Sequence, residues 1–84
     1  MSSREIAEFT GKQHSHVFRD VRKMLEELDE EHQEYIQLWT HPQNNQSYEE
    51  YRLPKDLTIT LVSGYSVKMR HSITKKWMEL ETQQ

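Results

Sequence analysis

The stretch SSREIAEFTGKQHSHVFRDVRKML, residues 2–25, places a single glycine between two patterns of helical period. Glycine adopts left-handed backbone angles without steric cost, so Gly11 stands where one helix must stop and the chain must turn. Ahead of it, Ser2 and Glu5 have the spacing of a capping box, in which hydroxyl and carboxylate each satisfy a free amide of the first turn. Ile6, Ala7 and Phe9 give that helix, about residues 2–10, a side to bury. Behind it, Val17, Val21, Met24, Leu25 and Leu28 recur at intervals of three and four and predict a second amphipathic helix over about residues 13–28.

The rest of the chain is less uniform. EYIQLWT, residues 34–40, alternates with period two and is rich in aromatic and branched side chains, which predicts a strand. HPQNNQS is a turn segment in which Asn44-Asn45 can take positive φ, and YEEYRL, residues 48–53, forms the return strand of a hairpin. PKDLTITLVSG, residues 54–64, reads both ways. Leu57, Ile59 and Leu61 alternate with threonines as in a strand, whereas Pro54 and Asp56 resemble a helix start and Gly64 a helix stop. A last helix over about residues 66–81 is predicted from Ser66 as its cap and Met69, Ile73, Trp77 and Leu80 as its stripe. The sequence contains no internal repeat and no low-complexity tract.

At 84 residues the chain suffices for one small domain, expected over residues 2–82, with a modest core. Its eight aromatic residues argue for a folded chain despite 30% charged residues. With no cysteine there is no disulfide framework and no thiolate metal site. His14 and His16 diverge on a helix, and His32, His41 and His71 have no ligand spacing, so neither metal nor other cofactor is expected. No nucleophile motif, phosphate-cradling loop or carboxylate pair is present, so the chain is not expected to be an enzyme. No apolar run reaches membrane-spanning length and no signal-peptide core is present, so a cytoplasmic protein without membrane contact is expected. The net charge of −3 hides a segregation: residues 1–25 carry five basic and three acidic groups, residues 26–50 eight acidic groups and no Lys or Arg, and residues 51–84 six basic and three acidic. Local patches rather than the total decide what such a surface attracts.

Ala7, Gly11 and Val17 stand at the spacing a helix-turn-helix requires: a small residue for close approach, a left-handed turn, and a branched apolar residue about six positions on. Two antiparallel helices in an ordinary core fit the same pattern, and Lys12 departs from it, since the position after the glycine is usually apolar. In the first arrangement the residues available to DNA are Lys12, Gln13, His14, Ser15, His16, Arg19, Arg22 and Lys23. Arg19 and Arg22 then contact phosphates or guanine edges, or else pair with Asp20, Glu26 or Glu27 on a solvated face. Gln13, His14 and Ser15 read bases or merely cap the helix. The hairpin, through Asn44, Asn45 and Gln46 with Arg52 and Lys55 nearby, is either a wing over the backbone or a plain loop. Lys68, Lys75 and Lys76 are further phosphate candidates. EELDEEHQE is a solvated helix end, a surface that keeps the domain off DNA on that side, or an imitation of a phosphate run for a basic partner. Trp39, Trp77 and Met78 exceed the needs of so small a core and point either to burial or to a homodimer interface.

MSSREIAEFTGKQHSHVFRDVRKMLEEL, the tyrosine-containing hairpin, and YRLPKDLTITLVSGYSVKMRHSITKKWMELE together resemble the N-terminal domain of phage regulatory proteins of the Rha family. The telling pieces are REIAEFTGK, the RDVR that follows it, the LPKD junction and LVSGYS, and the likeness extends over about residues 2–81. The resemblance implies a small α+β, winged helix-turn-helix-like domain in the order α-α-β-β-α-α, with residues 55–63 helical rather than extended. It also implies a phage or prophage transcriptional regulator with double-stranded DNA as partner. The alternative is an antirepressor-type module that binds a phage repressor or a host regulatory protein.

Overall fold

Local capping sets the first helix. In the computed structural model, which describes residues 1–82, α1 (Ser3–Thr10) begins with both arms of the capping box: the Glu5 amide donates to Ser2 Oγ at 3.1 Å and the Ser2 amide to Glu5 Oε1 at 3.0 Å. It ends at Gly11, whose amide makes the last helical bond to the Ala7 carbonyl at 2.9 Å and whose φ of 80° then turns the chain out of the helix. A three-residue turn leads into α2 (His14–Glu27), which buries Val17, Val21, Met24 and Leu25. Phe18, off that stripe, packs its ring 4.6 Å from Tyr51. Leu28 does not join the stripe and is 46% exposed. The chain leaves the helix there: Asp29 takes φ 55°, its amide donates to Glu26 and that of Glu30 to Leu25, closing a Schellman cap without glycine.

After a short 3₁₀ turn over His32–Glu34, β1 (Ile36–Thr40) pairs antiparallel with β2 (Ser47–Tyr51), in a register from Ile36 opposite Tyr51 to Thr40 opposite Ser47. The tip turns at Asn45, φ 57°, as the Asn-Asn pair predicts. Both strands are shorter than expected. The first yields residues 34 and 35 to the 3₁₀ turn and its end, and beyond Tyr51 the chain pairs with its own beginning. Arg52 bridges Ser2, and the Leu53 amide donates to the Met1 carbonyl at 2.9 Å.

α3 (Lys55–Val62) is a helix, against its period-two pattern. It buries Leu57, Thr58, Leu61 and Val62 on one side and leaves Ile59 51% exposed. Thr58 and Thr60 send their hydroxyls back to the carbonyls of Pro54 and Asp56, both at 2.9 Å, so residues that suit a strand are satisfied within the helix. The helix ends at Val62, ahead of Gly64, which has no positive φ. α4 (Val67–Thr82) starts with the Met69 amide on Ser66 Oγ at 3.3 Å and buries Ile73, with Met69 and Trp77 half-buried. Leu80, expected on the stripe, is 38% exposed because the buried face fades toward the end of the helix. α1 lies centrally, packed on α2, α4 and β2, and α3 closes the far side of α2 and α4. Ile6, Val17, Val21, Leu25, Tyr51, Leu53 and Ile73 form the fully buried heart of the core.

Candidate nucleic-acid interface

The eight residues on and before α2 divide into two built into the fold and six turned outward. Lys12 belongs to the first group. Its ammonium lies 3.0 Å from Asp20 Oδ2 and 4.0 Å from the centre of the Tyr65 ring, and the Tyr65 hydroxyl donates to the same carboxylate oxygen at 2.9 Å. Lys12 thus fills the usual apolar position with its half-buried stem and carries its charge to an internal partner. Partial burial by itself would raise the Asp20 pKa, but the hydrogen bonds from Lys12 and Tyr65, with the charges of Lys12 and Arg19, prevail and lower it. The same network, with burial foremost, pushes the Tyr65 phenol well above its ordinary value.

His14 is the second. Its Nε2 lies 2.9 Å from Ser3 Oγ, which accepts the Tyr51 amide at 3.0 Å, and its ring meets Phe18 edge-on. Burial, then the Arg4 charge, lowers its pKa against a smaller opposing effect of Glu50. At neutral pH His14 is therefore an uncharged link between α1, α2 and β2, not a cation on the surface.

Gln13, Ser15, His16, Arg19, Arg22 and Lys23 are exposed. Ser15, Arg19 and Arg22 fall at i, i+4 and i+7 on the face opposite the core, with His16 and Lys23 beside them. Arg19 is 72% exposed and 4.0 Å from Asp20, a loose contact. Among the described residues neither Arg22 nor Lys23 has a carboxylate within 4.0 Å, so the pairing of Arg22 with Glu26 or Glu27 is not formed. No side chain caps α2: Gln13 occupies the N-cap position without its amide group reaching back. The amides at that end point outward with the positive end of the helix dipole.

The hairpin presents a different surface. Asn44 Oδ1 accepts the Gln46 amide at 2.9 Å and His41 Nδ1 the Gln43 amide at 3.1 Å, so the tip is held by its own polar side chains. Arg52 is not at the tip; it lies past the other end of β2, roughly 20 Å away at the rise of a strand. Glu49 is exposed on the hairpin, and no lysine or arginine lies between residues 26 and 50. Trp39 serves the fold: the Arg4 guanidinium lies 3.7 Å from its ring centre, clasping the hairpin to α1. On α4, Lys68 and Lys75 are exposed, whereas Lys76 reaches Glu79 at 3.5 Å and the Phe9 ring at 5.1 Å. Lys55 pairs with Glu81. Among the described residues no group of histidines and carboxylates is arranged to hold a metal, and no helix is long and apolar enough to cross a membrane.

Arg4, Tyr65 and the Asp20 hub escaped the sequence reading. Their partners lie in other elements, and only the opposite charges of Lys12 and Asp20 hinted at them.

Among the described residues, four helices and a two-stranded antiparallel hairpin in the order α-α-β-β-α-α make an α+β fold, and the glycine-centred turn between the first two helices is compatible with a small winged helix-turn-helix-like domain. The family model for phage regulatory protein Rha matches residues 1–82, and the chain belongs to that family, which gives it a regulatory role in a phage. Comparison with curated proteins and with solved structures returns no match.

Proposed function

We propose that the chain is a transcriptional regulator that binds double-stranded DNA with α2 in the major groove, and that it is not an enzyme. The observation that carries this reading is the outward face of α2: Arg19, Arg22 and Lys23 are exposed, the last two free of carboxylate partners among the described residues, on a helix whose N-terminus is uncapped. Gln13, Ser15 and His16 stand at the end of the helix that first meets base edges in such a docking. Lys12 and His14, committed to internal partners, orient this face and contribute by position. Asn44 and Asn45 at the hairpin tip supply hydrogen bonds to the backbone rather than charge, and Arg52, Lys68 and Lys75 add attraction at longer range. Two copies related by a two-fold axis would present two such helices to successive major grooves.

Anisotropy titration against phage promoter-region duplexes at about 50 and 200 mM salt tests this reading. We expect one preferred duplex and an affinity that falls by about 0.9 log units per log unit of salt for each phosphate contact. Arg22→Ala should weaken binding and, if Arg22 meets a phosphate, flatten that slope by about one. Absence of duplex binding at the lower salt overturns the proposal.

A second reading rests on a separate observation. Glu26, Glu27, Glu30 and Glu31 are all exposed at the far end of α2 and just beyond, without a basic partner among the described residues. That surface suits a basic patch on a phage repressor or host regulatory protein, as an antirepressor would need. Neutralising these four carboxylates to glutamine should then abolish capture of the partner and leave DNA affinity intact or raised.

A further inference from the structure

Between α3 and α4 lies a groove of about 350 Å³, floored by Val62, Ile73 and Trp77 and edged by Ile59 and Met78. Met78 is 61% and Ile59 51% exposed, so the apolar surface continues outward from the groove onto the rim. At its two ends on α4 stand opposite charges: Arg70 toward the start of the helix and Glu81 toward its finish. Arg70 has no carboxylate within 4.0 Å among the described residues.

We infer that this face is the contact between two copies of the chain, with α4 antiparallel to the partner's α4 across a two-fold axis midway between residues 75 and 76. The groove-lining residues of α4 are self-matched about that point. Arg70 falls opposite Glu81 of the partner subunit, Thr74 opposite Trp77 of the partner subunit, and Ile73 opposite Met78 of the partner subunit. The positions of any single helix face pair in this way across a two-fold axis; here the pairing also sets side chains of opposite charge, Arg70 and Glu81, against each other at both ends of the seam. Met78 is an unbranched, adaptable side chain standing proud of the surface, and the groove beside Trp77 is the space for its counterpart. Each copy thereby offers both projection and recess. The unpaired Arg70 gains a carboxylate at each end of the seam, and Glu81 shares its charge between Lys55 and the incoming guanidinium. An acidic partner protein would complement Arg70 but would meet Glu81 with like charge, so a second copy fits this face better.

The inference deepens the two-copy arrangement offered with the DNA reading and is independent of whether α2 binds DNA. α4 packs mainly on α1 and α3 and leaves the outward face of α2 uncovered.

Sedimentation equilibrium of the chain from about 1 to 500 μM, without DNA, tests it. Wild type should dimerise within that range. Arg70→Glu and Glu81→Arg should each raise the dimer Kd by roughly tenfold, by setting like charges opposite each other twice per dimer, and Met78→Asp by more. The Arg70→Glu/Glu81→Arg double variant should return to within about threefold of wild type. Glu81→Arg also loses its Lys55 pair, but the double variant keeps that loss, so recovery reports the contact between copies and not the fold. Circular dichroism of each variant verifies folding. A dimer indifferent to all three substitutions places the interface elsewhere and overturns this inference while leaving two-fold DNA binding intact. A monomer at every concentration overturns both the interface and the two-copy arrangement, and leaves DNA binding by α2 to its own titration.

Discussion

Gly11→Ala isolates what the turn between α1 and α2 contributes. Gly11 has φ 80° and ψ 6°, and a Cβ built there meets no heavy atom within 4 Å. The substitution therefore involves no clash, and its entire cost is conformational. Holding an L-residue in the left-handed region costs about 1–2 kcal/mol, partly offset by about 0.4–1 kcal/mol because alanine stiffens the unfolded chain. The net loss should be about 1 kcal/mol, which lowers the melting temperature of a domain this size by roughly 4–8 °C. Gly11→Asn should cost less than half as much, since asparagine tolerates that region. Gly64→Ala is the internal control. Gly64 lacks a positive φ and its nearest neighbour would be a carbonyl oxygen at 4.0 Å, so alanine there should be neutral or stabilising by up to about 1 kcal/mol. Urea unfolding followed by the fluorescence of Trp39 and Trp77 measures all three. Equal effects of alanine at positions 11 and 64 would refute the left-handed turn, and a loss above about 3 kcal/mol at Gly11 would mean a steric contact that the structure does not contain.

Asp20→Asn should destabilise the chain by about 1 kcal/mol in urea unfolding, because Lys12 and Tyr65 lose a charged acceptor. The Asp20 pKa is lowered by folding, so its contribution is present above the ordinary carboxylate range and lost as pH falls through the lower folded value. The gap between wild type and Asp20→Asn should accordingly close in strong acid. His14 is also lowered, so the unfolded chain takes up its proton first. Stability should hold above the ordinary imidazole value of 6.5 and decline as pH drops through the folded one. His14→Gln should remove that part of the decline; an unchanged pH profile would place the decline on another histidine.

What the sequence reveals divides along the range of the forces involved. The capping box at Ser2 and Glu5, the turn at Gly11 and the stripe from Val17 to Leu25 each depend on neighbours within one or two turns, and each is found where periodicity and cap chemistry place it. α3 defeats periodicity because Thr58 and Thr60 are free to bond backward along a helix, a satisfaction that alternation cannot display. Burial of Leu57 and Leu61 with Thr58 and Val62 then decides between helix and strand. Leu28 fails for the converse reason: its spacing is helical, but Asp29 takes the left-handed angle more often left to glycine and ends the helix one residue early. Lys12 and His14 share a helix start with Ser15 and His16, and only Asp20, Tyr65 and Ser3, brought in by folding, separate the structural pair from the exposed one.

The charge order along α2 bears on what the helix is for. A helix stabilises acids in its first turn and bases in its last, each by about 0.3–1 kcal/mol at the surface. α2 has no acid in its first turn and no base in its last; Arg19, Arg22 and Lys23 precede Glu26 and Glu27. By contrast α1 follows the rule at its start, with Glu5 in its first turn. The order on α2 is therefore unfavourable to the isolated helix, and intrahelical ion pairs do not compensate, since Arg22 reaches neither glutamate. Departures from local stability rules of this kind concentrate where a surface serves a partner. An anion docked along the first three turns would reverse the sign of the effect there, meeting the guanidinium groups and the open helix terminus together. The acidic end would at the same time repel that anion from the last turn of α2, so on the proposed DNA reading one helix would both attract the duplex and limit how far along its length the duplex could lie.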